Sequence, residues 1–121
     1  MKPATIRVLL ADDSAVVRRP MRALLHSEPN IELVGEAGNF LETIEMAAEL
    51  DPDVVILDMH MPDHQRFSPE IIRSALSKTD IIAISVYMDD ATQMQADAFG
   101  ARKFLDKSTL ADELIPAIRD L

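Results

Sequence analysis

Five short apolar runs, each followed by a stretch with helical spacing, constrain this chain more than any other feature. The runs are Ile6–Ala11 (IRVLLA), Ile31–Ala37 (IELVGEA), Asp53–Leu57 (DVVIL), Asp80–Ser85 (DIIAIS) and Arg102–Leu105 (RKFL), the last being the weakest. Apolar residues then recur at helical intervals: Val17, Met21, Leu24 and Leu25; Leu41, Ile44 and Ala48; Ile72, Ala75 and Leu76; Leu110, Leu114 and Ile118. The stretch DDATQMQADAF is only faintly amphipathic. Strands that alternate with helices need crossover connections, and these have one hand, so the pattern predicts an α/β fold with a parallel sheet covered on both faces. The run Val54-Val55-Ile56-Leu57, apolar at every position, suits a strand buried on both sides.

Start and stop signals agree with this parsing. Asn39 followed by Glu42 is a capping-box pattern, and Ser68-Pro69-Glu70 offers a cap, a first-turn proline and an acid at the positive helix end. Gly100 is suited to stop the fourth helix. Pro20 and Pro116 fall within the first and last helices, where each removes a backbone hydrogen bond, so a kink or a later helix start is expected at both. The methionines at 21, 46 and 94 are expected on helix faces that pack the core.

At 121 residues the chain is expected to form one domain, residues 1–121. It has no cysteine, which leaves no disulfide frame or thiolate metal site and makes a reducing cytoplasm the expected location. No apolar run approaches membrane-spanning length, so no membrane association is expected. A formal net charge of −9 opposes direct nucleic-acid binding and suits a cation or a basic partner surface.

The predicted strands end in chemistry. They run into Asp12-Asp13, Asp58, Ser85 and Asp106-Lys107, and parallel strands bring their exits to one edge, where ligands bind in such folds. Asp58 is expected at the surface, just beyond its strand. Clustered carboxylates repel unless a cation intervenes, and a hard divalent ion such as Mg²⁺ takes oxygen ligands of this kind. With an ammonium and a hydroxyl alongside, the cluster suits phosphoryl transfer onto a carboxylate, which is already a nucleophile. Taken singly, Asp12 and Asp13 could merely cap a helix, and Asp58, Ser85 and Lys107 could be ordinary loop residues. Their joint occurrence at strand ends is what argues for a site.

The segments LLADDSAVVRR, VVILDMHMPD, IIAISV and GARKFLDKS, in this order, resemble the receiver domain of two-component response regulators. The resemblance spans nearly the whole chain and implies a flavodoxin-like (βα)5 fold with strand order 2-1-3-4-5. It implies that Asp58 accepts a phosphoryl group from a histidine kinase or a histidine phosphotransfer protein in a phosphorelay. Asp13, Asp58 and the His60 carbonyl would hold Mg²⁺ directly, with Asp12 acting through water and Mn²⁺ as an alternative ion. Lys107, Ser85 and the backbone amides of Met59 and Val86 would meet the phosphoryl oxygens. Phe104 holds the aromatic switch position and, lacking a hydroxyl, is expected to be buried. Switching would alter the face of the fourth helix, fifth strand and fifth helix, which would meet an output partner or a second copy. Such a chain is a phosphoacceptor assisting its own phosphorylation and dephosphorylation, not a turnover enzyme.

Some positions depart from the family pattern. Gln65 and Arg66 stand where many receivers have an acid or amide and then glycine, so the 63–67 loop is expected to take another path or to move. Ser108 replaces a common proline, and with Val34-Gly35-Glu36-Ala37-Gly38 it resembles receivers joined to helix-turn-helix output domains; a transcription regulator whose output domain lies outside this chain is the expectation. His60 and Tyr87 occupy positions that screen the acyl phosphate. His26 is expected to be ordinary surface, and His60 with His64 makes a weak case for a transition metal. The alternatives are a stand-alone or phosphorylation-independent binding module, or an aspartate-nucleophile phosphatase, which Asp58-Met59-His60 disfavours by supplying no second acid.

Overall fold

A computed structural model describes residues 4–121. Five parallel strands, β1 (Ile6–Ala11), β2 (Ile31–Ala37), β3 (Val54–Asp58), β4 (Asp80–Ser85) and β5 (Lys103–Asp106), form one sheet in the order 2-1-3-4-5. The helices are α1 (Ala15–His26), α2 (Phe40–Leu50), α3 (Pro69–Ala75), α4 (Asp90–Ala98) and α5 (Leu110–Arg119). The expected α/β class and strand order are both met. Three strands match their predicted limits, while β3 and β5 begin and end one residue later than expected.

The pleat sorts alternate residues into two cores. Leu9, Val55, Leu57 and Ala83 pack with Phe40, Ile72, Ala96 and Phe99 on the side of α2, α3 and α4. Val8, Leu10, Ile56, Ile82 and Ile84 pack with Met21, Leu25, Leu114 and Ile118 from α1 and α5. Edge strand β2 contains an irregularity: Val8 pairs with Leu33 but Leu9 pairs with Gly35, leaving Val34 over. A Cβ at Gly35 would meet Leu50 Cδ1 at 3.0 Å and Leu9 Cδ1 at 3.3 Å, so these side chains would have to give slightly.

Helix ends follow the sequence signals. Asn39 accepts from the Glu42 amide at 2.7 Å, but Glu42 reaches the Gly38 amide rather than closing the box on Asn39. Ser68 accepts from the Ile71 amide with Pro69 in the first turn. Helix α4 ends as a Schellman motif, with the Ala101 amide donating to the Ala96 carbonyl and the Gly100 amide to Asp97, and Gly100 at φ 85°. Gly100→Ala should cost about 1 kcal/mol through its left-handed backbone, read as a lower urea midpoint with unchanged slope; its Cβ would meet Arg73 Cγ at 3.4 Å, an ordinary contact. If the variant matched the parent, the strain argument would fail.

Several expectations need correction. Helices α1 and α5 include Pro20 and Pro116, so neither starts after its proline. The inward stripe of α2 is Phe40, Thr43, Ile44 and Ala47; Leu41 is half-exposed and Ala48 exposed. Phe40 sets this rotation by packing edge-on to Phe99 at 5.9 Å and against Phe67 at 6.3 Å. Met21 is buried and Met46 partly so, but Met94 is exposed, because α4 turns Thr92 and Ala96 inward instead. Ala75 is exposed where core packing was expected. Among the described residues, no helix is long and apolar enough to cross a membrane.

Candidate functional site

The C-terminal ends of β1, β3, β4 and β5 meet at one edge of the sheet. Asp12 follows β1, and its main chain is fixed by donation to the Ala37 carbonyl at 3.0 Å. Its Oδ1 accepts from the Ser14 amide at 2.9 Å, while its buried Oδ2 lies 2.7 Å from Lys107 Nζ, which is the cation that answers it. Asp58 ends β3, paired opposite Ile84, and its Oδ1 lies 3.3 Å from the same ammonium. One carboxylate oxygen from each of Asp12, Asp13 and Asp58 lies within 4.8 Å of the others. The sequence expectation that these residues and Lys107 converge is thus met in the geometry.

Burial differs from expectation. Asp58 belongs to the strand and is 2 % exposed, not held at the surface, whereas Asp13 faces solvent. Burial pushes the Asp58 carboxyl above the usual range, and the Asp12 charge adds to this. The His60 amide, donating to Asp58 Oδ1 at 3.1 Å, and Lys107 pull the other way without cancelling it. Burial would lower the Lys107 ammonium, but its hydrogen bond and charge contacts with Asp12 and Asp58 outweigh that and raise it.

Ser85 ends β4, fully buried, and its Oγ accepts from the Tyr87 amide at 2.9 Å, which leaves its hydroxyl proton free to point elsewhere. Val86 and Tyr87 are exposed. The His60 and Tyr87 rings meet edge to face at 5.2 Å, forming a rim beside the carboxylates. The Met59 amide is already spent on the Ile84 carbonyl at 3.1 Å, so the donor aimed at the Asp58 carboxylate is the His60 amide, which sequence reasoning missed. Asp106 also stands apart, capping the following turn through the Ser108 amide at 2.9 Å. Phe104, opposite Ala83, is half-buried against the α2–α4 core, less enclosed than expected.

The 63–67 segment forms a short 3-10 turn, His64–Arg66, and has no residue at positive φ. Asp63 accepts from the Phe40 and Leu41 amides at 2.8 and 3.1 Å, which ties the loop after β3 to the positive end of α2. His64 is turned back on the Met61 carbonyl at 2.9 Å, away from any shared site with the exposed His60, and His26 is exposed.

The donor set fits a hard cation: three carboxylates whose oxygens lie within 4.8 Å of one another, one of them open to solvent. The sequence has no cysteine to offer a thiolate, and among the described residues the carboxylate trio is the cluster placed to hold a metal.

Comparison with known proteins agrees with this arrangement. The response regulator receiver domain family matches residues 8–119. The transcriptional regulatory protein LiaR of Bacillus subtilis is 38% identical over 116 residues, 94% of this chain and 54% of LiaR. The DNA-binding transcriptional activator DevR/DosR of Mycobacterium tuberculosis is 32% identical, over 96% of this chain and 54% of its own length. The signal receiver domain of the putative response regulator NarL from M. tuberculosis superposes with a TM-score of 0.86 at 28% identity, covering 98% of this chain and 96% of that one. The chain spans about half the length of the curated relatives it matches. A sheet of order 2-1-3-4-5 with acids and a lysine at its C-terminal edge, and a family match over nearly every described residue, lead to one conclusion: the chain belongs to the response regulator receiver domain family.

Proposed function

We propose that residues 1–121 act as one phosphorylation-switched receiver in which Asp58 accepts a phosphoryl group from a histidine kinase or a histidine phosphotransfer protein. The observation that carries the reading is Lys107 Nζ, 2.7 Å from Asp12 and 3.3 Å from Asp58 beside a three-carboxylate cluster. Asp12, Asp13, Asp58 and the His60 carbonyl would hold Mg²⁺ or Mn²⁺. The bound ion supplies positive charge against the phosphoryl oxygens.

The ionised Asp58 oxygen attacks phosphorus of the donor's phosphoimidazole. The O–P bond forms as the N–P bond breaks, and its electron pair returns to the imidazole. Lys107 exchanges its contact with the buried Asp58 carboxylate for a phosphoryl oxygen. Ser85, its oxygen already accepting from Tyr87, turns its hydroxyl proton toward another, and the Val86 amide and the His60 amide serve nearby oxygens. Movement of Ser85 and the following loop repacks half-buried Phe104 and alters the α4–β5–α5 face. That face would control a DNA-binding output domain outside this chain, or pair with a second copy. The chain itself contacts no nucleic acid and turns over no external substrate.

Beryllofluoride with Mg²⁺, a mimic of the acyl phosphate, should shift backbone amide resonances across Ser85–Asp106. Unchanged resonances there would favour a binding module that works without phosphorylation.

A further inference from the structure

Beside the acidic cluster lies a chain of charges that touches no carboxylate of the cluster. Arg22 grips Glu36 with two hydrogen bonds, Nε to Oε2 at 2.6 Å and Nη2 to Oε1 at 2.8 Å. Glu36 in turn accepts from Arg18 Nε at 3.1 Å, and Arg18 Nη1 donates to the main-chain carbonyl of Asp12. The three side chains come from α1 and β2, while Asp12 belongs to the loop between β1 and α1. Arg18 and Glu36 are only partly exposed, at 20% and 23% of their side chains.

We infer that Arg18, aligned by Glu36 and Arg22, is the positioning residue that fixes the peptide joining Asp12 to Asp13, and with it where the Asp13 carboxylate stands for the cation. The inference rests on reading Asp12, Asp13 and Asp58 as a magnesium site. Besides the Lys107 contact on its Oδ2, Asp12 is held at three points: its amide on Ala37, its Oδ1 on the Ser14 amide and its carbonyl on Arg18. The first two belong to the local strand and turn, and would persist in any receiver with this loop shape. The third is made by a side chain, and it is the one that stops the peptide plane after Asp12 from rotating. A rotation there carries Asp13 with it, because the two acids share that peptide.

A fork is needed for this task. Arg18 uses Nε for Glu36 and Nη1 for the carbonyl, two donors in one rigid plane, which a lysine's single ammonium does not reproduce. Glu36 is needed because it consumes Nε and leaves Nη1 aimed at Asp12. Outer-shell partners of this kind orient metal ligands, and their loss weakens metal affinity by about 10–100-fold.

Plain electrostatics makes the opposite prediction, so the test decides between them. Arg18 is a cation beside an anionic site, and its removal by charge alone would tighten Mg²⁺ binding. Mg²⁺ titration of the 121-residue chain by calorimetry, in the absence of any phosphodonor, gives the readout. Arg18→Gln and Arg18→Lys are both expected to raise the Mg²⁺ Kd by about 10-fold or more. The lysine variant keeps the charge, so its loss isolates the fork. Glu36→Gln should weaken binding similarly, and adding it to Arg18→Gln should cost little more, as expected for residues acting in series. Thermal unfolding without Mg²⁺ should move little, since partly exposed ion pairs contribute modestly to stability. Equal or tighter Mg²⁺ binding by both Arg18 variants would overturn the inference while leaving the magnesium site intact. A parent chain that binds no Mg²⁺ would overturn the site itself.

Discussion

Asp58→Asn should take no label from a small phosphodonor such as acetyl phosphate under conditions in which the parent chain labels fully. The amide is no nucleophile, and Asp12 is fully buried with both oxygens engaged, Oδ1 by the Ser14 amide and Oδ2 by Lys107, while Asp13 is exposed and lies outside the strand. Intact mass after incubation with phosphodonor and Mg²⁺ reads the result directly; stoichiometric labelling of the variant would remove Asp58 from its role. The same substitution carries a stability signature. Burial raises the Asp58 carboxyl above its unfolded value, so its favourable contribution is present at low pH and is lost as pH rises through the raised folded value. The asparagine has no charge to lose. In metal-free buffer the variant should therefore unfold at higher denaturant than the parent at neutral pH. The gap should close as pH falls below about 4, where an unfolded aspartate is protonated. A variant less stable than the parent at neutral pH would show that the charge of Asp58 is welcome where it sits.

Lys107→Ala should have two large effects of opposite metal dependence. Without its ammonium, the fully buried Asp12 carboxylate keeps a single amide on Oδ1 and nothing on Oδ2. Removing one partner of a buried ion pair typically costs about 3 kcal/mol, which should be visible by urea denaturation in the presence of a chelator. Mg²⁺ should restore most of that loss, because a divalent ion answers the same carboxylates. The rate of labelling is a separate matter. Loss of one oriented donor to the phosphoryl oxygens should slow acquisition by about 10²–10³-fold even at saturating Mg²⁺. A variant that is unstable but labels at the parent's rate would make Lys107 a structural cation only.

How far the sequence foretells the molecule depends on how local each decision is. Strands β1, β2 and β4 have legible limits because their apolar runs are bounded by turn or polar residues. The β3 limit slips by one residue at Asp53, whose carboxylate takes the Arg7 amide at 2.8 Å, a partner 46 residues away. The rotation of α2 is illegible from spacing because Phe67 and Phe99, which draw Phe40 inward, are remote in the chain. Glycine's absence at 65–66 is plain in the sequence, yet the solution, Asp63 seated on amides 23 and 22 residues earlier, is not. In the candidate site, the acids and the lysine are legible because strand ends bring them together whatever else happens. Asp58's depth, the commitment of the Met59 amide and the reach of Arg18 to a main-chain carbonyl depend on packing, and no spacing rule carries them.

The leftover Val34 in β2 has a consequence for how molecules of this chain behave toward one another. An uninterrupted outer strand offers its free amides and carbonyls as a template on which a neighbouring chain can add. Here one border of the sheet is broken between Leu33 and Gly35, and the opposite border, β5, is four residues long. Neither presents a long even ladder. Self-assembly through strand addition is thereby discouraged, and contact between copies is left to side chains on helices.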